Sequence, residues 1–441
     1  MNQKEESDII IKNGVILTIN DYDEIIYDGA IVVKKDKIID LGKYSDIKNR
    51  YKPKKEINAK GCVVMPGLVN THTHLAMSIF KGLADDLPLD KWLSEHIFPA
   101  EEKFVDEEFC HWGTKLALAE MILSGTTTFC DMYFFEKETG RVAEEVGVRG
   151  VIGEGIVSKF GNENDIFENK LKLTKELLSE FENSSLVSIA IEPHSCYTCG
   201  KEILVKSKEF AKKNNLLYII HLAETKKEFD DIKNEFGFSP VEYLDKIGVL
   251  NEKTLAAHCV WLSDKDIKIL KERKVNISHC PESNMKLASG ISPIAKLLKN
   301  SINVSLGTDG SASNNNLNMF SEMNCAAKLA KVSTLDSTVL SAKEIVRMAT
   351  IEGAKVLGME NEIGSLEIGK KSDIIILDFN QPHLVPVYDY YSHLVYSVCG
   401  SDVKSSIING KIIMEKRKIL TFDVKETMRK ANAIAKKVKT I

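Results

Sequence analysis

Val63-Val64-Met65-Pro66-Gly67-Leu68-Val69-Asn70-Thr71-His72-Thr73-His74 is an apolar run that finishes in two imidazoles one residue apart. On an extended strand, residues i and i+2 face the same side, so His72 and His74 can grip a single metal ion together. By itself the pattern is weak, because ten histidines in 441 residues produce roughly 0.2 such pairs by chance. Three later β-like runs add weight by also ending in groups suited to metal chemistry: Leu217-Tyr218-Ile219-Ile220-His221, Thr254-Leu255-Ala256-Ala257-His258 and Val304-Ser305-Leu306-Gly307-Thr308-Asp309. Several strands delivering polar groups at their C-terminal ends is how a (β/α)8 barrel builds a site.

Outward from this stretch, strand-like runs recur near 67–72, 125–131, 150–154, 187–192, 217–222, 254–258, 275–279 and 303–308, which makes eight. Helical periodicity fills most of the intervals, as in Glu107 to Ser124, Glu168 to Phe181, Glu202 to Lys213 and Asp264 to Arg273. Residues 66–364 therefore read as an α/β, TIM-like barrel. Both ends of the chain have a different style. Ile9-Ile10-Ile11, Val15 to Ile19, Ala30 to Val33 and Lys37 to Asp40 are short strands, with Asn13-Gly14 and Asp28-Gly29 as turn signals between them. Asp373 to Leu377 and Ser405 to Met414 repeat the pattern. Residues 1–65 plus 365–441 are thus expected to form one small β-sandwich domain built from both termini. The last helix, Val424 to Lys439, is basic and amphipathic and reads as a surface helix packed on the body.

With 44% hydrophobic and 28% charged residues the composition is that of a globular protein with a large core. A net charge of -4 gives no broad positive field for phosphate backbones, so a nucleic acid polymer is not an expected partner. No apolar run reaches the roughly 18 residues of a membrane helix, and Met1-Asn2-Gln3-Lys4-Glu5-Glu6-Ser7 is too polar for a secretory signal. No membrane partner is expected, and the cytoplasm is the expected compartment. Nine scattered cysteines argue for reduced thiols. Cys196 and Cys199 form a C-x-x-C without a second pair, and Cys62, Cys130, Cys259 and Cys280 lie inside apolar runs as small core residues.

His72, His74, His221 and Asp309 form a mononuclear ligand set of three imidazoles and one carboxylate, suited to Zn²⁺, while Fe²⁺ and Mn²⁺ meet the same chemical requirement. Such an ion lowers the pKa of a bound water to about 7, which supplies a nucleophile without serine or cysteine. Glu224, three residues beyond His221, is placed to act as general acid-base. An acidic residue opening a helix from Glu224 to Asn234 would also favour the helix dipole. His258 is placed to hydrogen-bond the attacking oxygen or to polarise the reacting carbon.

The stretch Pro66 to His74, with His221-Leu222-Ala223-Glu224-Thr225, Ala257-His258-Cys259, Ser278-His279-Cys280-Pro281-Glu282-Ser283-Asn284 and Gly307 to Asn314, resembles the amidohydrolase superfamily. Within it, the similarity is to the 5-methylthioadenosine/S-adenosylhomocysteine deaminases, over nearly the whole chain. The resemblance implies hydrolytic deamination of a purine nucleoside at adenine C6. His72, His74, His221 and Asp309 would hold the metal, Glu224 would carry a proton from water to N1, and Asp309 and His258 would assist departure of ammonia. It also implies that Glu101 binds ribose hydroxyls and that His194 faces the substrate. Arg149 would pair with the carboxylate of a homocysteine tail. The segment Met77 to Lys103, with Trp92 and Phe98, would cover the purine side of the pocket.

Dihydroorotases and hydantoinases also begin with His-x-His but bridge two metals with a carbamylated lysine after the fourth strand. Here that run is Ile191-Glu192-Pro193-His194, without lysine. 5′-Deoxyadenosine and adenosine deaminases share the mononuclear plan, as do guanine and cytosine deaminases and triazine chlorohydrolases; Glu101 and His194 favour a nucleoside over a free base. A non-catalytic metal-binding protein on this fold is the remaining alternative, against which Glu224 speaks. Barrels of this kind commonly associate, so a homo-oligomer is expected.

Overall fold

The structure, a computed structural model, describes residues 4–158 and 162–439. The first three residues of the polar start and the last two of the chain lie outside the described residues. Eight strands run parallel in chain order: Leu68–Thr73, Thr126–Tyr133, Arg149–Ile156, Val187–Pro193, Leu217–Leu222, Thr254–His258, Asn276–His279 and Val304–Leu306. These are the eight runs expected from the sequence. The eighth is brought against the first by polar contacts. The Asp309 amide donates to the His72 carbonyl at 2.9 Å, and the Thr71 hydroxyl meets those of Ser278 and Ser305 at 2.7 and 2.8 Å. Gly307 permits this approach, because a Cβ there would stand 2.9 Å from the amide nitrogen of His72.

Alternation along the strands sends Val69, Cys130, Val151, Ala190, Ile219 and Leu255 into one apolar cluster with Ala354, Leu357 and Ile363 from beyond the last strand. A packed layer of this kind removes water from the barrel interior, each buried aliphatic side chain contributing about 1.5–3 kcal/mol. It leaves the strand ends above it on a rigid floor.

The small domain is a nine-stranded sheet assembled from both ends of the chain, joined where Cys62–Pro66 pairs antiparallel with Ile374–Asp378. Its core includes Ile11, Ile16, Val33, Val64, Ile374 and Ile376. The decisive stretch of sequence thus crosses from one sheet to the other at Gly67, where a Cβ would collide with the Thr127 side chain at 2.0 Å. Asn13-Gly14 and Asp28-Gly29 are not turns. They lie inside two long strands, Glu5–Leu17 and Ile25–Lys34, in which Gly14 faces Gly29 between register shifts. The positive φ that Asn13 (63°) and Asp28 (46°) adopt serves a pair of facing β-bulges instead. A further strand, Tyr51–Asn58, pairs parallel with Glu5–Lys12. Its sequence, Tyr-Lys-Pro-Lys-Lys-Glu-Ile-Asn, is too polar to show the alternation of a half-buried strand.

Helix starts also moved. Glu163–Glu180 begins five residues before Glu168 because Asn162 caps it, accepting from the amides of Asn164 and Asp165. Lys226–Phe236 is capped by Thr225, whose side chain accepts from the Glu228 amide, so Glu224 stands ahead of the helix rather than opening it. The C-terminal helix, Val424–Val438, buries Ala431, Ile434 and Val438 as expected for a packed surface helix. Among the described residues, no helix is long and apolar enough to cross a membrane.

Arg149 requires a correction. It opens the third barrel strand, at the end opposite the candidate site, and it is buried. Its Nε donates to Asp373 Oδ2 at 2.8 Å and its Nη1 to the Ser185 carbonyl at 2.8 Å. Asp373 precedes the first returning strand of the small domain, so this ion pair staples the two domains together and Arg149 reaches no cavity at the other mouth. Removing one partner of a buried pair strands the other charge. Arg149→Met should therefore lower stability by about 3–5 kcal/mol, read from the shift of the urea unfolding midpoint.

Candidate metal centre

His72 and His74 leave the first strand on one face while Thr73, pointing the other way, donates to Asp131 Oδ1 at 2.6 Å. His221 and His258 come from the ends of the fifth and sixth strands, and Asp309 follows the eighth. The donor atoms of His72, His74 and His221 all lie within 4.8 Å of one another, as do those of His72, His258 and Asp309. Asp309 Oδ1 stands 3.1 Å from His74 Nε2 and 3.6 Å from His72 Nε2.

The second nitrogen of three of these rings is tied down, which decides where each lone pair points. His74 Nδ1 donates to the Met132 carbonyl, His221 Nδ1 to the His194 carbonyl at 2.8 Å, and His258 Nδ1 to Asn284 Oδ1 at 2.8 Å. The Nε2 atoms of His221 and His258 are left facing inward, and that of His74 faces Asp309 Oδ1. The Nε2 of His72 is buried with no hydrogen-bond partner. An orphaned lone pair among converging imidazoles and a carboxylate is the signature of a donor set built for a cation, and His72, His74, His221 and Asp309 fit one.

Burial alone would raise the Asp309 carboxyl, but His74, with His258 and His72, holds it well below the usual carboxylate range. Its outer oxygen, Oδ2, accepts from Ser283 and Ser313 at 2.6 and 2.8 Å. Glu224 is different. It is buried, burial raises its pKa, and His258 Nε2 stands 4.0 Å from its Oε2. Ala223, His258 and Asp309 all adopt left-handed backbone, with φ of 52°, 71° and 62°. Such conformations cost about 1–3 kcal/mol each and persist where the surroundings enforce them, commonly at functional sites.

These groups line one cavity. His74, His194, His221, Glu224, His258, Asp309 and Glu101 all face it, and His72 lies beside them. Glu101 reaches it from the helix Phe98–Phe104 and accepts from the Tyr133 hydroxyl at 2.7 Å; burial pushes its carboxyl up to about 7. His194 is pushed down to about 3 by burial and by the neighbouring His74 and His258. Trp92 and Phe98 form part of the wall, as expected of the 77–103 segment. Arg149 is absent from it.

Glu228 was not anticipated. Its buried carboxylate accepts from the amides of Ala223 and Glu224 at 2.9 and 2.7 Å, fixing the turn that aims Glu224. A signal was available in Thr225-Lys-Lys-Glu228, the spacing of a capping box, whose glutamate folds back onto the amides before its helix. Asn284, Ser283, Ser313 and Tyr133 play similar positioning parts for His258, Asp309 and Glu101.

Parallel strands, a filled barrel and a His-rich donor set at one mouth are the construction of a mononuclear metal-dependent hydrolase. The chain belongs to the amidohydrolase family, whose signature matches residues 63–413. It is 45% identical over 433 residues to 5-methylthioadenosine/S-adenosylhomocysteine deaminase of Syntrophobacter fumaroxidans, covering 98% of this chain and 99% of that one. It is also 45% identical over 434 residues to 5′-deoxyadenosine deaminase of Methanosarcina mazei, covering 98% of each. Among solved structures, an adenosine deaminase from Xanthomonas campestris with bound zinc superposes over 100% of both chains, with a TM-score of 0.96 at 33% identity.

His221→Ala and Asp309→Ala should lose bound metal, whereas Glu224→Gln should retain it, as measured by elemental analysis of the purified proteins. Glu228→Ala should keep its metal and lose about 10–100-fold in turnover, the usual cost of an outer positioning contact.

Proposed function

We propose that this chain is a zinc-dependent aminohydrolase of adenine nucleosides. It replaces the C6 amino group by oxygen with release of ammonia, the candidate substrates being 5′-methylthioadenosine, giving 5′-methylthioinosine, and S-adenosylhomocysteine, giving S-inosylhomocysteine. 5′-Deoxyadenosine is a third candidate substrate. The observation that carries the reading is a buried carboxyl group, Glu224, facing the same cavity as the donor set of His72, His74, His221 and Asp309. The names of the relatives support it.

When bound, the ion supplies a water that is acidic near neutral pH. Glu224 would take a proton from the attacking water and deliver it to purine N1, which makes C6 electrophilic. Its raised pKa suits a group that must hold and then release a proton. His258, its Nδ1 fixed by Asn284, presents Nε2 towards the attacking oxygen, and Asp309 with His258 assists collapse as ammonia departs. Glu101, steadied by Tyr133, takes the ribose diol as a two-oxygen acceptor. His194 packs beside His221 against the nucleoside.

The same reading divides the chain into a hydrolase barrel, 66–364, and a composite sandwich, 1–65 plus 365–441. It also places the enzyme in the cytoplasm as a homo-oligomer. All nine cysteines are free thiols, which suits a reducing compartment.

The adenine-to-hypoxanthine absorbance change should appear when metal-replete protein is given 5′-methylthioadenosine, S-adenosylhomocysteine, 5′-deoxyadenosine and adenosine in turn. No turnover of any of them overturns the proposal. Glu224→Gln should lower kcat by about 10²–10⁴-fold, and undiminished activity would remove Glu224 from the mechanism.

A further inference from the structure

The nucleoside reading leaves the 5′ substituent open, and the wall of the cavity bears on it. With C6 over the donor set and the ribose at Glu101, the 5′ carbon must point towards the remaining wall. Between Glu101 and the mouth that wall is Leu89, Leu93, Phe98, Val157, Tyr197 and Leu287. Apart from the histidines of the donor cluster and His194, no cationic side chain lines the cavity among the described residues. The arginine expected to receive a carboxylate, Arg149, is committed to Asp373 at the opposite strand end. The third strand closes with Glu154-Gly155-Ile156, and its charged member there is acidic, accepting from the Glu136 amide and from Lys170, each at 2.9 Å.

Leu89, Leu93, Phe98, Tyr197 and Leu287 also border a larger outer cleft, so they form a collar through which a long 5′ tail would have to pass. The cleft beyond gives an ionic tail little reward. Four lysines line it, against the five carboxylates of Asp86, Glu163, Glu228, Asp231 and Glu235. Three of the four are engaged, Lys226 by Asp230, Lys227 by Asp231 and Lys286 by Asp85, and the fourth is Lys201.

We infer that the 5′ position of the substrate carries a short uncharged group, a methyl or an alkylthio, and that nucleosides with a zwitterionic aminoacyl tail are poor substrates. This rests on the deaminase reading above. An α-carboxylate brought into the collar would lose its hydration without gaining a partner, and Glu101 would repel it. A methylthio group buries apolar surface against Leu and Phe side chains in the same place.

The test compares kcat/KM of the metal-replete full chain for 5′-methylthioadenosine, 5′-deoxyadenosine, S-adenosylhomocysteine and a 5′-butylthioadenosine whose tail matches homocysteine in length without its charges. The expected result is a ratio of at least about 30-fold in favour of 5′-methylthioadenosine over S-adenosylhomocysteine, a magnitude that apolar pockets reach. The butylthio compound should fall on the favoured side. A smaller ratio overturns the inference, as does a butylthio compound as poor as S-adenosylhomocysteine, which would make length rather than charge the determinant. Failure of all four substrates would instead remove the deaminase reading itself.

Discussion

Several imidazoles and two carboxylates are held out of water at one mouth of the barrel, and the rest of the structure is arranged to make that burial tolerable. A buried ring nitrogen without a partner is costly. The chain meets the cost by giving each Nδ1 of His74, His221 and His258 a carbonyl-type acceptor. Those acceptors come from neighbouring elements: Met132 on the second strand, His194 after the fourth, Asn284 in the helix Pro281–Lys286. The ring orientations therefore hold only while the strands keep their register. The buried Nε2 of His72 is the debt that remains, and a cation is what would settle it.

Register is secured at two places remote from the chemistry. At the seam, Gly307 lets the eighth strand lie against His72, and the Asp309 amide takes the His72 carbonyl. Ligands from the first and last strands are thus fixed to each other by backbone. Below, the Arg149–Asp373 pair and the continuous run from Cys62 through Gly67 to Thr73 join barrel to sandwich. Among the described residues the small domain contributes no side chain to the cavity; its part is to hold the strand that carries His72 and leads into His74.

The barrel was legible because its strands are buried on both faces, which writes them as short apolar runs ending in polar residues. The convergence of its histidines was legible for the same reason: a histidine at the C-terminal end of such a run has one mouth to face. That logic also applied to Arg149, which precedes the apolar run of its strand and so belongs at the other mouth. The resemblance had drawn it to the substrate. Asn13-Gly14 and Asp28-Gly29 misled because positive φ serves bulges as well as turns, and only the partner strand distinguishes them. Tyr51–Asn58 is stabilised by backbone pairing at an edge, which leaves no hydrophobic period to read. Glu101 arrives from a helix outside the strand pattern, so its place depended on resemblance rather than on local physics.

Glu224 and Asp309 show how one cavity shifts two carboxyl groups in opposite directions. Both are buried, and burial pushes both upwards. Asp309 escapes because His74 and the serines at positions 283 and 313 stabilise its anion directly. Glu224 has Ser289 at 3.5 Å and His258 at 4.0 Å, too distant to compensate in full, and its backbone rather than its carboxylate is gripped by Glu228. Environments that separate the pKa values of two neighbouring acids assign their tasks. Exchanging their surroundings, rather than their identities, would be enough to abolish that division of labour.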